Sequence, residues 1–206
     1  MKRVLIPFLA ALIISLVIAA VPGPAVICGS RHLSRTELEY YYQSEYQYFL
    51  DVWGGDLQPE LMQEQTYAVV QDTLSMVQAA GEAGFAMTGE QEAEFASLWD
   101  SFLAASGGDM NAYLRESYGR GAREETFRRY LYDAHLAAAY ADALYAAISP
   151  TQEQIRQEMD KEGGIYLDEG LDPSLWEERA ARDLTARLFE AKLEEIRSRY
   201  PFSIKE

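Results

Sequence analysis

A Ser or Thr three residues ahead of a Glu or Gln recurs along this chain, each time at the head of a segment with apolar residues three and four apart. In that spacing the hydroxyl and the carboxylate or amide satisfy backbone N–H groups that a helix start leaves unpaired. Ser34-Arg35-Thr36-Glu37 opens a helix to about Trp53, closed by Gly54-Gly55, and Pro59 opens the next, to Gly81 or Gly84. Thr88-Gly89-Glu90-Gln91 starts a third, to about Ser106. After Gly107-Gly108, Asp109 caps a short helix to Tyr118, and Gly119 to Gly121 form a turn. A long helix from Arg123 to Ala147 carries a seam of Phe127, Leu131, Ala134, Ala138, Ala141, Tyr145 and Ile148. Ser149-Pro150-Thr151-Gln152 combines a cap, a proline suited to the first turn and a glutamine, opening a helix to about Glu162. Residues 163–172 read as a linker, before a last helix from Pro173 to Tyr200 with Trp176, Ala180, Leu184, Leu188, Phe189, Leu193 and Ile196 on its apolar face. Only Val26-Ile27-Cys28 and Phe202-Ser203-Ile204 escape the helical period. The expected fold is mainly α, with a C-terminal return helix and a minimal two-stranded pairing of the chain ends.

Residues 1–25 are of another kind. Lys2 and Arg3 precede an apolar run from Val4 to Val21, then Pro22-Gly23-Pro24-Ala25, the pattern of a secretory signal. Eighteen helical residues reach about 27 Å, close to the roughly 30 Å hydrocarbon layer, so a cleaved signal peptide and a retained membrane anchor both fit. Either way the basic start stays in the cytoplasm and residues 26–206 form an extracytoplasmic domain, secreted or anchored to the outer face of the cytoplasmic membrane. All 33 carboxylates lie in that domain, and the chain carries a net charge of −15, which excludes a phosphate-backbone partner and so nucleic acid. A hydrophobic content of 49% is ample for a core. Cys28 is the single cysteine, so no intramolecular disulfide forms. It is either a lipid-modified N-terminal cysteine or a buried strand thiol, and the bulky Ile27 just before it favours the thiol.

Catalytic patterns are missing from the sequence. His32 and His135 are far apart, outside any metal-ligand spacing, and no Gly-x-Ser-x-Gly elbow supplies a nucleophile. The acidic group Asp160, Glu162, Asp168, Glu169 and Asp172 fails the alternating oxygen pattern of a calcium loop, because Gly164 occupies its third ligand position. The expectation is a protein that is not an enzyme, without catalytic residues, metal or cofactor. The aromatic helix is more telling. Leu38, Tyr42, Tyr46, Phe49 and Trp53 form an inward stripe, which leaves Tyr40, Tyr41 and Tyr48 outward, where tyrosine suits adaptable recognition.

The order of these parts resembles the SurA and PrsA foldases. Val26-Ile27-Cys28-Gly29 followed by the helix at Glu37-Leu38-Glu39-Tyr40 is similar to their opening strand, Gly and capped helix. Three later segments agree in order: Ala83-Gly84-Phe85-Ala86-Met87-Thr88 with Glu92, Tyr118-Gly119 with Phe127-Arg128-Arg129-Tyr130-Leu131, and Ile148-Ser149-Pro150-Thr151 through Ile155. The resemblance implies a SurA N-terminal-like chaperone domain whose last helix returns to the module and whose terminal strand, Phe202 to Ile204, pairs with Val26 to Cys28. An isomerase domain of on the order of a hundred residues belongs where only residues 163–172 stand, so prolyl isomerase activity is not implied. The expected function is an exported chaperone-like protein that holds unfolded or newly translocated polypeptides on an apolar cradle rimmed by carboxylates. Tyr40, Tyr41, Tyr48, Phe85 and Trp99 are the candidate contact residues. The alternative is a membrane-tethered helical scaffold for one folded partner.

Overall fold

The helix starts read at Ser34, Thr88 and Asp109 are built as side-chain caps, in a computed structural model that describes residues 26–54, 58–170 and 172–205. The expected signal or anchor, residues 1–25, lies outside the described residues. α1 (Arg35–Trp53) begins on a complete capping box: the Glu37 N–H donates to Ser34 Oγ at 3.3 Å, and the Ser34 N–H donates to Glu37 Oε2 at 2.9 Å. α2 (Pro59–Glu82) has its proline in the first turn. α3 (Gly89–Ala105) starts on the Thr88–Gln91 box, α4 (Met110–Tyr118) on the Asp109 carboxylate, and α5 (Glu124–Ala147) follows the Gly119–Gly121 turn. After α6 (Gln152–Asp168), one 3₁₀ turn (Pro173–Leu175) leads into α7 (Trp176–Arg199). The fold is mainly helical, with its chain ends joined in a small sheet and a C-terminal helix returning to the core.

The sheet has three strands, not the expected two. β1 (Val26–Cys28) lies between β2 (Arg31–Leu33) and β3 (Phe202–Ile204), antiparallel to both, with Val26 opposite Leu33 and Ile204. β2 occupies the stretch read only as joining the opening strand to the first helix. It forms because Gly29 and Ser30 reverse the chain in two residues, with Gly29 at φ +54°, a conformation costly to any other residue. Gln78 of α2 fastens this turn. Its Oε1 accepts from the Ser30 N–H and hydroxyl, both at 2.9 Å, and its Nε2 donates to the Cys28 carbonyl at 3.1 Å. A Cβ on Gly29 would meet Gln78 Oε1 at 2.5 Å. Cys28 is fully buried, its Sγ 3.4 Å from Ser75 Oγ, and burial raises its thiol pKa. The cysteine therefore sits inside the central strand as a packed thiol.

The main core gathers Val26, Leu33, Leu38, Tyr41, Val70, Leu74, Ala137, Ile196 and Tyr200. α2 and α5 form its centre, and the second half of α7 completes it; Arg197 grips Asp72 of α2 through Nε at 2.5 Å and Nη2 at 2.8 Å. A second core collects Tyr40, Trp99, Met110, Leu114 and Phe127 between α1, α3, α4 and α5. Here Gly121 passes so close to α1 that a Cβ would meet Thr36 Oγ1 at 2.3 Å. The third core is small, Ile155, Tyr166 and Ala180, where α6 lies along the first half of α7.

Three expectations need correction. On α5, Phe127, Leu131 and Ala141 pack as expected, Ala138 and Tyr145 are exposed, and Tyr130, Ala137, Tyr140 and Leu144 join the packed face. The packed face is widened toward Tyr130 and Tyr140 because these rings have more area to bury than the alanines of the expected seam. The linker at residues 163–172 shortens, because α6 runs through Gly163-Gly164 to Asp168. Its cap is Thr151 with Gln154 rather than Ser149 with Gln152: the Gln154 N–H donates to Thr151 Oγ1 at 3.3 Å, and the Thr151 N–H donates to Gln154 Oε1 at 2.9 Å. Two helical glycines cost roughly 1 kcal/mol each, and burial of Tyr166 against Trp176, ring centroids 6.0 Å apart, offsets that. The third correction concerns α1 and belongs to the site.

Candidate binding groove

Residues Glu37 to Tyr42 of α1 are buried on every side, enclosed by β2, α2, α4 and α5. An inward stripe presumes one buried face; the first turns of α1 have no outward face. Tyr40 is thus corrected from a contact residue to the centre of the second core. Its ring stands edge-on to Tyr118 at 5.1 Å and Phe127 at 5.2 Å, and its hydroxyl bonds Thr126 Oγ1 at 2.9 Å and accepts from the Arg123 N–H at 3.2 Å. Tyr41 is corrected likewise. It packs edge-on to Tyr130 at 4.7 Å, with a buried hydroxyl that has no partner, and burial raises its pKa strongly.

Tyr48 is the tyrosine of the three that faces solvent, 59% exposed, with Phe49 beside it at 5.8 Å. Trp53, the last member of the expected stripe, lies outside the described side chains. Phe85 is half-buried against Tyr140 at 5.1 Å. Of the five, Trp99 lines a groove.

That groove, of about 820 Å³, runs between α3 and α5. The two helices lie antiparallel and touch at both ends of it. Near the start of α3, His135 Nε2 is 2.9 Å from the Gln91 carbonyl oxygen; near its end, Phe102 meets Phe127 at 5.0 Å. Between these contacts the floor is Met87, Phe95, Trp99 and Tyr132. Phe95 and Tyr132 pack edge-on at 5.3 Å, and Tyr132 remains 40% exposed. Arg128 lies over Trp99, its Cζ 5.4 Å from the ring centroid.

Four carboxylates, Glu92, Asp100, Glu124 and Glu125, and two guanidiniums, Arg128 and Arg129, make the walls. Arg129 is already engaged: it pairs with Glu37, the capping residue of α1. Burial would raise the Glu37 pKa, but its hydrogen bonds from Ser34 and the Arg129 pair outweigh that and hold it below 4.5. Beside it Arg31 of β2 pairs with Asp133 of α5, whose carboxyl burial pushes up despite Arg31 and Arg129. These crossed pairs fix α5 to β2 and α1 behind the groove.

The sequence did not single out Phe95, Tyr132, Met87 or the carboxylates. A signal was present: Phe95 and Trp99, and Arg128 and Tyr132, are each four apart on their helices, so each pair shares a face. What the spacing could not reveal is that the two faces meet each other.

Among the described residues no group of three or more His, Cys, Asp or Glu is placed to hold a metal, and no helix is long and apolar enough to cross a membrane. Fold and groove together define a class: a helical domain clasped by its terminal strands, with an aromatic-floored, carboxylate-walled groove on one side. Comparison with known protein families, curated proteins and solved structures finds no match to this chain.

Proposed function

We propose that this protein is an exported, chaperone-like holder of unfolded or newly translocated polypeptides, without prolyl isomerase activity, working outside the cytoplasm beside the membrane that its N-terminal segment reaches. The observation that carries the reading is the groove: an apolar, aromatic floor, exposed at Tyr132 and buried at Met87, Phe95 and Trp99, between walls of carboxylates. Aromatic floors bind side chains of many sequences because their contact is broad and undirected, and charged walls keep a loaded holder soluble. The order of parts shared with the SurA and PrsA foldases supports the same function, and so does the apolar segment at residues 4–21. No isomerase is proposed, since α6 and α7 follow one another with no room between them for such a domain.

Light scattering of a reduced, aggregating client tests this. An equimolar amount of the protein is expected to suppress aggregation, and Tyr132→Glu, a charge set into the floor at an exposed position, to weaken the effect. No suppression by the unaltered protein would sink the proposal. A scaffold for one folded partner would leave aggregation unchanged and retain a single protein.

A further inference from the structure

We infer that the groove between α3 and α5 selects short extended segments in which basic residues flank an apolar one, rather than apolar segments in general. This inference deepens the peptide-holding reading and rests on it. The argument is the charge left over on the walls. Of the wall groups, Glu92, Asp100, Glu124 and Glu125 make no ion pair among the described residues, whereas Arg129 is neutralised by Glu37 and Arg128, lying over Trp99, is the one cation set against them. The walls therefore present an excess of carboxylates to whatever occupies the floor. Helix stability explains part of that excess, because Glu92, Glu124 and Glu125 stand in first turns, where negative charge is favoured. It does not explain Asp100, far from the start of α3, nor the convergence of two helix starts on one apolar floor.

The carboxylates also sit at opposite ends. Glu92 follows Gln91, which meets His135 at one end, and Asp100 lies toward the Phe102–Phe127 contact at the other, where α5 starts at Glu124. Eight residues of α3 separate them, about 12 Å along the helix, which an extended peptide covers in about four residues. Side chains of an extended segment alternate between two faces, so a segment of the form basic, any, apolar, any, basic would set one cation at each end and its apolar side chain on the floor at Phe95 and Trp99.

The test measures binding of three labelled peptides to the full chain by fluorescence anisotropy at low salt: Gly-Lys-Ser-Phe-Ser-Lys-Gly and its versions with both lysines replaced by glutamine or by glutamate. The lysine peptide is expected to bind about tenfold more tightly than the glutamate one, from two to three ion pairs on an open surface. The combined Glu92→Gln, Asp100→Asn and Glu124→Gln variant is expected to remove most of that preference. A variant with Glu60→Gln, Glu64→Gln and Glu177→Gln, three exposed carboxylates away from the groove, should retain it. Equal loss in both variants would assign the preference to the overall negative charge and overturn the inference. Equal binding of all three peptides would also overturn it, yet leave the holding function standing. If none binds and client aggregation is not suppressed, the underlying reading fails as well.

Discussion

Two adjacent tyrosines divide the chemistry of α1 between them. Tyr40 gives its hydroxyl two partners, Thr126 and the Arg123 N–H, while the Tyr41 hydroxyl is buried without any. Removing a satisfied buried hydroxyl orphans its partners and costs about 1–2 kcal/mol, whereas removing an unsatisfied one relieves a desolvation cost. Tyr40→Phe is therefore expected to lower stability by about that amount, and Tyr41→Phe to leave it unchanged or raise it; paired urea melts decide. Glu37 supplies a pH dependence. Its folded-state carboxyl is held below the ordinary 4.5, so its stabilisation is complete above that pH and is lost as pH falls through the folded-state value. The stability gap between the unaltered chain and Glu37→Gln should accordingly be largest near neutrality and shrink below pH 4.5, as unfolding curves across pH would reveal; a gap independent of pH would contradict this account. Residue periodicity made Tyr40 and Tyr41 look like surface because it assumes one neighbour on one side. It has no means of seeing that four elements close around the same two turns.

Among the elements, helix starts were legible and helix ends less so. Ser34, Thr88 and Asp109 cap as their spacing implies, since a cap is a local bond between residues three apart. Gly163-Gly164 looked like a stop, and α6 nevertheless continues, because Tyr166 lies beyond them and its burial against Ile155, Ala180 and Trp176 belongs to tertiary structure. The pair α6 and α7 has a core separate from the two larger ones, held also by the Glu158–Arg187 ion pair. Tyr166→Ala should therefore cost about 2–4 kcal/mol there. Hydrogen exchange should rise in residues 152–185 while α2 and α5 stay protected; equal loss of protection in all helices would show that the hairpin is not a separable unit.

At the scale of the molecule, the clasp of the chain ends was legible because β1 and β3 are the two segments that break the helical period. β2 was not, its strand depending on the reversal at Gly29 and on Gln78 half a hundred residues away. The groove was the least legible feature. Trp99 was singled out, but the residues that make it part of a groove come from two helices whose docking depends on Phe102, Phe127 and His135. The central claim is that this groove holds polypeptide. Its most direct test is photo-crosslinking from a client peptide carrying a photoreactive phenylalanine at its apolar position, mapped by mass spectrometry on the full chain. The predicted crosslinks fall on Met87, Phe95, Trp99 and Tyr132. Crosslinks confined to the exposed end of α1 around Tyr48 and Val52, with none between α3 and α5, would contradict it.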